Sequence, residues 1–461
     1  MMEAETIAAI ATAVGEAGIG IVRVSGPASV KIARAVFRNR NDDPVVTFNA
    51  RRMLYGKIVD PDSGESIDEA LCVYMQAPHS YTCEDVFEFQ LHGGTAVVRR
   101  VLELLLKEGA RLARPGEFTE RAYLNGRIDL SQAEAVMDII QAKTEAALKN
   151  AASQLSGNLS VRISEIRKRL LDFLVHVEAN LDYPEENIAV FDAETMQKTL
   201  LDAVQSIDRL LATAQKGKIL REGLRTVIVG RPNVGKSSLL NALLGENRAL
   251  VTELPGTTRD SIEEYLNLRG IPLRIVDTAG LRESDDLIEQ LGMQRTKDFL
   301  ASAALILFLV DASQPLTAED DAIFRSLPPV PVILVVNKID LPQLSGSEAW
   351  AQRVGSHRVV SLSAKERTGF DDLEQAIEQL VFQGAAQNAE PVFINNSRHV
   401  ESLNLAREQL ASSLSALQDG LPVDCAIIDL RAVLESLGQI TGETVSDEVV
   451  REIFAKFCLG K

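Results

Sequence analysis

The segment that most constrains the fold is the run Gly230-Arg-Pro-Asn-Val-Gly235-Lys236-Ser237-Ser238. It follows the apolar stretch Val227–Val229 and precedes a helical pattern, which is the strand–loop–helix context that a phosphate-binding loop requires. Glycines let backbone N–H groups approach phosphates closely at the positive end of a helix. We therefore expect Lys236 to neutralise phosphate oxygens and the hydroxyl of Ser237 to ligate Mg²⁺.

Alternating strand and helix patterns surround this loop from Gly223 to Phe382. The apolar runs are Thr226–Val229, Leu273–Val276, Leu305–Val310 and Val332–Val336. Such runs, separated by helices, predict a parallel sheet with helices on both faces.

Four further motifs follow the loop in a fixed order: Gly256-Thr257-Thr258-Arg259-Asp260, Asp277-Thr278-Ala279-Gly280, Asn337-Lys338-Ile339-Asp340 and Ser363-Ala364-Lys365. Asp340 can accept two hydrogen bonds from guanine that adenine cannot offer in that arrangement. A buried acceptor left unpaired costs about 1–3 kcal/mol, enough for strong discrimination between the bases. The motifs together predict a GTP site. Its candidate contacts are Asn233, Val234, Gly235, Lys236, Ser237, Ser238, Thr252, Gly256, Thr257, Thr258, Asp277, Thr278, Ala279, Gly280, Asn337, Lys338, Asp340, Ser363, Ala364 and Lys365.

Two positions distinguish this site from a Ras-type site, in which a glutamine after the third motif orients the attacking water. Leu281 occupies that position and cannot polarise water. Glu289, in the acidic stretch Glu283–Glu289, is a candidate replacement, although that stretch is equally typical of a solvated loop. Asn233 offers an amide oxygen to a monovalent cation beside the phosphates, or it serves only as a turn former.

Composition limits the other possibilities for this chain of 461 residues, which is long enough for about two or three domains. A net charge of −17 argues against a nucleic-acid coat protein. The longest apolar runs are of buried-strand length, and the first residues lack the pattern of a signal peptide. The four scattered cysteines indicate neither a disulfide framework nor a zinc site. We interpret the chain as cytoplasmic.

The regions on either side of the alternating segment differ from each other. Before about residue 120, Ile19–Val24, Leu71–Met75 and Val86–Leu91 predict strands, and Ala96–Lys107 predicts a helix. From Ser131 helical periodicity takes over, and Ser131–Glu134 predicts a capping box at the start of the first helix. Two apolar stripes mark these helices: Leu155, Leu159, Ile163, Ile166, Leu170 and Leu174, then Met196, Leu200, Val204, Ile207 and Leu211.

Helical patterns return over Val400–Leu417, Ile427–Leu437 and Val445–Phe457. The simplest topology is an α/β domain inserted between two halves of one helical domain. Two separate helical domains would give the same pattern.

Short motifs at both ends of the chain carry a resemblance. The last residues are Cys458-Leu459-Gly460-Lys461. Towards the start stand Gly18–Gly26, Ser80–Asp85, His92-Gly93-Gly94 and Pro115–Asn125. With the GTP motifs between them, these segments resemble the MnmE (TrmE) family of tRNA-modification GTPases over nearly the whole chain.

The resemblance implies a multidomain α/β plus α protein. A β-rich α+β N-terminal domain (1–122) would bind tetrahydrofolate and dimerise. A discontinuous all-α helical domain (123–220 and 383–461) would flank an inserted Ras-like P-loop G domain (221–382).

The same resemblance implies a reaction at C5 of the tRNA wobble uridine, which gains a carboxymethylaminomethyl or aminomethyl group. A 5-formyl- or methylene-tetrahydrofolate would donate one carbon. The flavoprotein MnmG (GidA) would join the homodimer in a heterotetramer or larger complex. The alternative is a regulatory Era/EngA-like GTPase switch in ribosome assembly. After residue 365 neither a Gly-x-x-Gly clamp nor a second phosphate loop supports that alternative.

The resemblance also assigns candidate residues to roles. It implies a K⁺ site at Asn233, Thr252, Leu254 and Thr257, and a Mg²⁺ site at Ser237 and Thr258. It implies that Glu289 orients water, that Lys236 acts on the phosphates, and that Cys458 is an essential thiol of open role. The folate positions are Arg23, Glu84, Arg127 and Lys461; Arg127 replaces an expected lysine, and Cys83 stands where a glycine is common.

Overall fold

The structure is a computed structural model that describes residues 5–13, 15–182, 193–247, 264–275, 300–344, 358–382, 393–419 and 423–461. The chain forms two compact units. The first unit contains Met1–Met137, Ser160–Ser164 and Glu435–Lys461, and the second contains Asp138–Leu159 and Glu165–Leu434. Boundaries at 122, 220 and 382 stay a prediction. None of the helices in the described ranges is long and apolar enough to cross a membrane.

A seven-stranded sheet organises the first unit. Its strands run in the order β3-β4-β5-β6-β2-β1-β7, and all neighbours are antiparallel except β1 and β7. Helices α1 and α2 share one hydrophobic core with this sheet. The strands predicted near Ile19, Leu71 and Val86 and the helix ending at Lys107 are confirmed. The elements are β1 (Ile7–Ile10), β2 (Ala17–Ser25), α1 (Ser29–Val36), β3 (Phe37–Asn39), β4 (Met53–Val59), β5 (Ser66–Met75), β6 (Val86–Gly93), α2 (Thr95–Lys107) and β7 (Arg111–Leu112).

Helices dominate the next segment of the chain. They are α3 (Glu117–Leu124), α4 (Leu130–Gln141), α5 (Glu145–Leu155), α6 (Asn158–Asp182), α7 (Ala193–Leu211) and α8 (Ala214–Glu222). The predicted stripe from Leu155 to Leu174 spans two helices, because α5 ends before Gly157, whose φ of +85° is left-handed.

The prediction of a capping box at Ser131–Glu134 is wrong, because the observed box lies two residues earlier, at Asp129–Gln132. The backbone N–H of Gln132 donates to Oδ1 of Asp129 at 2.9 Å, and the Asp129 N–H donates back to Oε1 of Gln132 at 3.0 Å. This reciprocal pair is the capping box that opens α4. Ser131 is fully buried, and its hydroxyl donates to Asp129 at 2.8 Å. Asp129 therefore caps the helix, while Ser131 supports the cap.

Among the described residues, a six-stranded sheet of the second unit carries the loop Gly230–Ser238 and the motifs at Asn337–Asp340 and Ser363–Lys365. Its order is β13-β12-β11-β8-β10-β9, and every neighbouring pair is parallel except β9 with β10. The prediction of a parallel sheet therefore holds except at the β9 edge. The elements are β8 (Leu224–Val229), α9 (Lys236–Asn247), β9 (Glu264–Leu268), β10 (Ile271–Ile275), β11 (Leu305–Asp311), α10 (Ala318–Arg325), β12 (Val332–Asn337), β13 (Arg358–Ser361) and α11 (Phe370–Phe382).

Three helices follow this sheet in sequence: α12 (Ser397–Gln418), α13 (Val423–Thr441) and α14 (Asp447–Ala455). Within the second unit α12 packs along α7, where Arg407 Nε lies 2.6 Å from Asp208 Oδ1. Gln154 of α5 also donates to the carbonyl of Phe393 at 2.7 Å. Helices that precede the six-stranded sheet in sequence thus contact segments that follow it.

Candidate functional site

The phosphate loop lies between β8 and α9, in the second unit. Gly235 has a φ of +101°, and a Cβ there would collide with the side-chain amide of Asn337. The position therefore requires glycine for two reasons. The ammonium of Lys236 donates to the carbonyls of Gly230 at 2.9 Å and Arg231 at 2.8 Å. The Lys236 ammonium thus lies inside the loop that is predicted to bind the phosphates.

Asn337 connects its own motif, Asn337–Asp340, to the phosphate loop and to the motif Ser363–Lys365. Its Nδ2 donates to the carbonyl of Val234 at 2.8 Å, and its Oδ1 accepts the N–H of Ala364 at 3.0 Å. Asn337 is only 2% exposed. A buried amide with both ends satisfied fixes the relative position of the three segments.

Lys338 supports the loop from another side. Its ammonium donates to the carbonyl of Asn233 and to Oδ2 of Asp311, both at 2.7 Å. Burial alone would raise the pKa of Asp311, but hydrogen bonds from Lys338 and Ser313 outweigh it and hold the pKa below its ordinary value. Asp311 is therefore a charged anchor for Lys338.

The residues that are predicted to recognise the base also lie together. The hydroxyl of Ser363 donates to Oδ1 of Asp340 at 2.6 Å and accepts the N–H of Glu366 at 3.1 Å. This bond fixes the Asp340 carboxylate beside the Ser363–Ala364 segment, whereas the Lys365 side chain is 79% exposed. The structure thus gathers the phosphate loop, Asn337–Asp340 and Ser363–Ala364 at one edge of the sheet.

Other predicted contacts lie outside the described residues: Thr252, Leu254, Gly256, Thr257, Thr258, Asp277, Thr278, Ala279, Gly280 and Glu289. Of the predicted ligand sets, only Ser237 for Mg²⁺ and Asn233 for K⁺ are described. Among the residues that the structure describes, no group of three or more His, Cys, Asp and Glu side chains is placed to hold a metal ion.

The motifs from the two ends of the chain meet in the first unit. The N–H of Gly116 donates to the carbonyl of Cys458 at 3.3 Å, and the N–H of Phe118 donates to that of Lys461 at 3.2 Å. Gly460 has a φ of +87°, and a Cβ there would collide with the carbonyl of Ile10. Residues 458–461 therefore pack between the start of α3 and the end of β1, and we call them the C-terminal segment.

Arginines surround an aromatic side chain next to this segment. The guanidinium of Arg23 lies 5.8 Å from the ring centre of Tyr81 and 5.5 Å from that of Phe118. Arg127 lies 5.0 Å from the same Tyr81 ring. Arg23 also binds Glu88 at 2.8 Å and donates to the carbonyl of Gly460 at 3.4 Å. Two of the predicted folate residues, Arg23 and Arg127, are thus brought together, and Arg23 reaches the C-terminal segment.

Glu84, a third predicted folate residue, is held by partners that the sequence analysis did not identify. Its carboxylate accepts the hydroxyl of Ser25 at 2.6 Å and NH1 of Arg121 at 2.9 and 3.1 Å. Arg121 also donates to Glu117 at 3.1 Å, and Arg111 donates to Glu117 at 2.6 Å. The sequence contains one indication of this network, which is the i, i+4 spacing of Glu117 and Arg121 within Pro115–Asn125.

Glu117 is the buried centre of this network, with a side chain that is 3% exposed. Burial would raise the pKa of its carboxyl, but the hydrogen bonds from Arg111, the Arg114 backbone and Arg121 outweigh burial and lower the pKa to about 2. Glu117 therefore stays ionised at the start of α3, where its charge is paired with the surrounding arginines. Cys458, by contrast, is exposed.

Comparisons with known proteins agree over the whole chain. A family model described as the MnmE helical domain matches residues 130–458, and one described as the GTP-binding protein TrmE N-terminus matches residues 6–127. The tRNA modification GTPase MnmE of Thermoanaerobacter sp. (strain X514) is 47% identical over 457 residues, which cover 99% of each chain. The protein of the same name from Geobacillus thermodenitrificans (strain NG80-2) is 48% identical over 466 residues and 100% of both chains. That from Clostridioides difficile (strain 630) is 46% identical over 99% of both.

Among solved structures, a crystal structure of Aquifex aeolicus Era aligns with a TM-score of 0.27 and 26% identity, over 40% of this chain and 66% of that chain.

Proposed function

Since this chain belongs to the MnmE (TrmE) family of tRNA modification GTPases, we propose that K⁺ activates its GTP hydrolysis and that this hydrolysis serves modification of the wobble uridine at C5. The chain is a GTP hydrolase of tRNA modification. The product that we propose carries a carboxymethylaminomethyl or aminomethyl group. A flavoprotein partner of the MnmG type would supply the redox chemistry.

The observation that carries the K⁺ proposal is the conformation of Asn233. Its φ is +63°, its carbonyl is bound by Lys338, and its side chain is exposed at the loop. An exposed amide on a fixed backbone can turn its oxygen towards a cation beside the phosphates. We propose that Thr252, Leu254 and Thr257 complete that K⁺ site. K⁺ would supply the positive charge that an arginine finger supplies elsewhere.

The remaining nucleotide chemistry is proposed on the same basis. Ser237 is the second residue of α9, directly after Lys236, so its hydroxyl suits a Mg²⁺ ion on the phosphates together with Thr258. Glu289 would orient the attacking water where Ras-type proteins use glutamine. Asp340, fixed by Ser363, would read the guanine edge.

In the first unit we propose a tetrahydrofolate site formed by Arg23, Glu84, Arg127 and Lys461. The support is the placement of two guanidiniums on the Tyr81 ring beside the C-terminal segment. Such guanidiniums suit the carboxylates of a folate tail. Cys458 lies in the same segment and is exposed, so its thiol is accessible to a substrate.

The arrangement of domains is part of the proposal. We propose that the helices before and after the six-stranded sheet form one helical domain, with the G domain inserted between its halves. The packing of α12 along α7 supports this topology. We also propose that the protein acts in the cytoplasm as a homodimer that dimerises through its N-terminal domain.

One experiment tests the modification itself. Nucleosides from tRNA of cells that lack the gene are separated by liquid chromatography and identified by mass spectrometry. We expect the modified wobble uridine to disappear and to return when the intact gene is restored. Unchanged nucleosides together with a ribosome-assembly defect would instead favour the Era/EngA-like switch.

A second experiment tests the cation. GTP turnover by the full chain is measured in K⁺ and in Na⁺ at equal ionic strength. We expect at least about tenfold faster turnover in K⁺, and we expect Asn233→Ala to abolish that difference. The matched control, Asn41→Ala at an exposed turn of the first unit, should keep it. Equal turnover of the unaltered chain in both salts would remove K⁺ from the mechanism.

A further inference from the structure

The phosphate loop carries an ion pair that none of the nucleotide motifs explains. Nε of Arg231 lies 2.6 Å from Oδ1 of Asp320, which belongs to α10. The Arg231 side chain is 14% exposed and that of Asp320 is fully buried. The loop is therefore tied to a helix outside its own strand–loop–helix unit.

Asp320 is bound on both of its carboxylate oxygens. Oδ2 accepts the N–H of Thr317 at 3.1 Å and its hydroxyl at 2.8 Å, which completes the capping box of α10. Oδ1 is the oxygen that faces Arg231. Removing the guanidinium would leave a buried charge short of a partner, and such a loss is much larger than that of an exposed pair.

Arg231 is bound by both Asp320 and Lys236: Asp320 binds its side chain, and Lys236 binds its backbone carbonyl. Lys236 donates to the carbonyls of Gly230 and Arg231, so the direction of the Arg231 carbonyl sets part of the lysine's surroundings. A fixed side chain on Arg231 restricts the rotation of that peptide unit. Asp320 thus acts on Lys236 through Arg231.

A second contact fixes the other part of the loop. Lys338 binds the carbonyl of Asn233 and is itself held by Asp311, the last residue of β11. Asp311 and Asp320 both belong to the segment that begins at the end of β11 and enters α10. That segment therefore supports the phosphate loop at two points, through Arg231 and through Lys338.

We propose that Arg231 and Asp320 are positioning residues for the phosphate site. The pair holds the loop in the conformation that binds the nucleotide phosphates, so it contributes to the affinity for GDP and GTP alike. This inference rests on the proposed placement of the nucleotide at Gly230–Ser238. Because the pair stabilises the loop equally in the GTP-bound ground state and in the transition state, its loss raises the KM for GTP and leaves kcat nearly unchanged.

The test is a double-mutant cycle on the full chain. The dissociation constant for GDP is measured by titration with a fluorescent GDP derivative for Arg231→Met, Asp320→Asn and the double variant. We expect each single variant to bind GDP at least about tenfold more weakly. The double variant should be no weaker than the weaker single variant, since the residues act as one unit.

Two companion variants separate positioning from folding. Arg325→Met, an exposed arginine on the same helix, should leave GDP affinity within about twofold of the unaltered chain. Arg231→Lys keeps the charge but loses the guanidinium geometry, so we expect an intermediate loss of affinity. If Arg231→Met does not fold, the GDP affinity of Arg231→Lys tests the proposal in its place. Steady-state hydrolysis with Arg231→Lys should show a raised KM and a kcat within about twofold.

Several outcomes would overturn the proposal. Arg231→Lys with unaltered GDP affinity would do so, as would variants that melt earlier yet bind GDP normally below their melting point. Additive losses in the double variant would show that the two residues act separately. If Lys236→Ala binds GDP as tightly as the unaltered chain, the nucleotide does not lie at Gly230–Ser238, and both the nucleotide site and the role of the pair are refuted.

Discussion

The nucleotide site and the arginine-rich site of the first unit hold their side chains in different ways. In the nucleotide site Lys236, Lys338 and Asn337 bind backbone carbonyls of the phosphate loop. In the first unit Arg23, Arg111 and Arg121 bind carboxylates. Backbone carbonyls are present whatever the side chains are, whereas a carboxylate must be supplied by a particular residue. The nucleotide site is therefore held through the backbone of its loop, with the ion pairs to Asp311 and Asp320 behind it, whereas the arginine-rich site is held directly by charge pairs.

The two sites should consequently fail in different ways. A substitution in the nucleotide site should change the choice or affinity of a nucleotide. A substitution in the arginine–carboxylate network should change the stability of the first unit and its response to pH. The following experiments test that contrast, beginning with the largest effect.

Cys458→Ser should separate the two sites completely. The thiol belongs to the first unit and the nucleotide motifs belong to the second, so we expect wobble-uridine modification to fall to background while GTP turnover stays within about twofold. Nucleoside analysis and a phosphate-release assay measure the two activities. Leu459→Ala, at the exposed neighbouring position, is the matched control and should retain both. Normal modification by Cys458→Ser would make the thiol dispensable.

Asp340→Asn should alter base recognition without loss of the fold. The amide places a donor where guanine also presents a donor, so we expect GTP affinity to fall at least about a thousandfold. Xanthosine triphosphate, which offers an acceptor there, should become a substrate. Competition binding with the two nucleotides measures the change. Glu366→Gln, an exposed neighbour, should keep the GTP preference; retention of that preference by Asp340→Asn would refute the assignment.

Glu117→Gln should weaken the first unit at neutral pH by about 2 kcal/mol, a figure reduced for the solvent exposure of Arg111. The pKa of Glu117 is about 2 in the folded chain against an ordinary 4.5, so its stabilisation is present above about pH 4.5 and is lost as the pH falls towards 2. The variant should lack that pH dependence.

Hydrogen exchange of the α3 amides at several pH values, corrected for intrinsic rates, measures this effect. Glu103→Gln, at an exposed position of α2, should behave as the unaltered chain. Equal protection of α3 in Glu117→Gln and the unaltered chain would mean that the network does not stabilise the unit.

Arg407→Ala should have the smallest effect. Arg407 and Asp208 join α12 to α7, but their side chains are 51% and 45% exposed, and such pairs contribute about 0–1 kcal/mol. Urea unfolding followed by circular dichroism should therefore shift little. Leu403→Ala, in the fully buried part of α12, should cost about 2–5 kcal/mol. Comparable losses would mean that the surface pair contributes as much to stability as the buried Leu403 side chain does.

Sequence patterns predicted the elements whose signal is long or local. The buried strands β11 and β12 and helix α2 follow from extended apolar patterns. The edge strands β9 and β13 were not predicted, because Glu264–Leu268 and Arg358–Ser361 are short and lack a continuous apolar run. The cap of α4 was misplaced because Asp129–Gln132 and Ser131–Glu134 both fit the pattern, and burial of Ser131 selects the first.

The candidate sites divide in the same way. The contacts of Asn337 and Lys338 were implied by motifs that parallel strands bring to one sheet edge. The sequence did not indicate that Glu84 binds Arg121 or that Arg231 binds Asp320, since each partner comes from another segment of the chain. Periodicity gives which face of an element is buried, but it does not give which charged residue lies across from it.

The hydrogen bond from Phe118 to Lys461 links α3 to the C-terminal segment across most of the chain. Any single cleavage in the second unit would therefore produce two fragments that still share the folded first unit. A nicked molecule should accordingly remain one particle in gel filtration and separate only in denaturant.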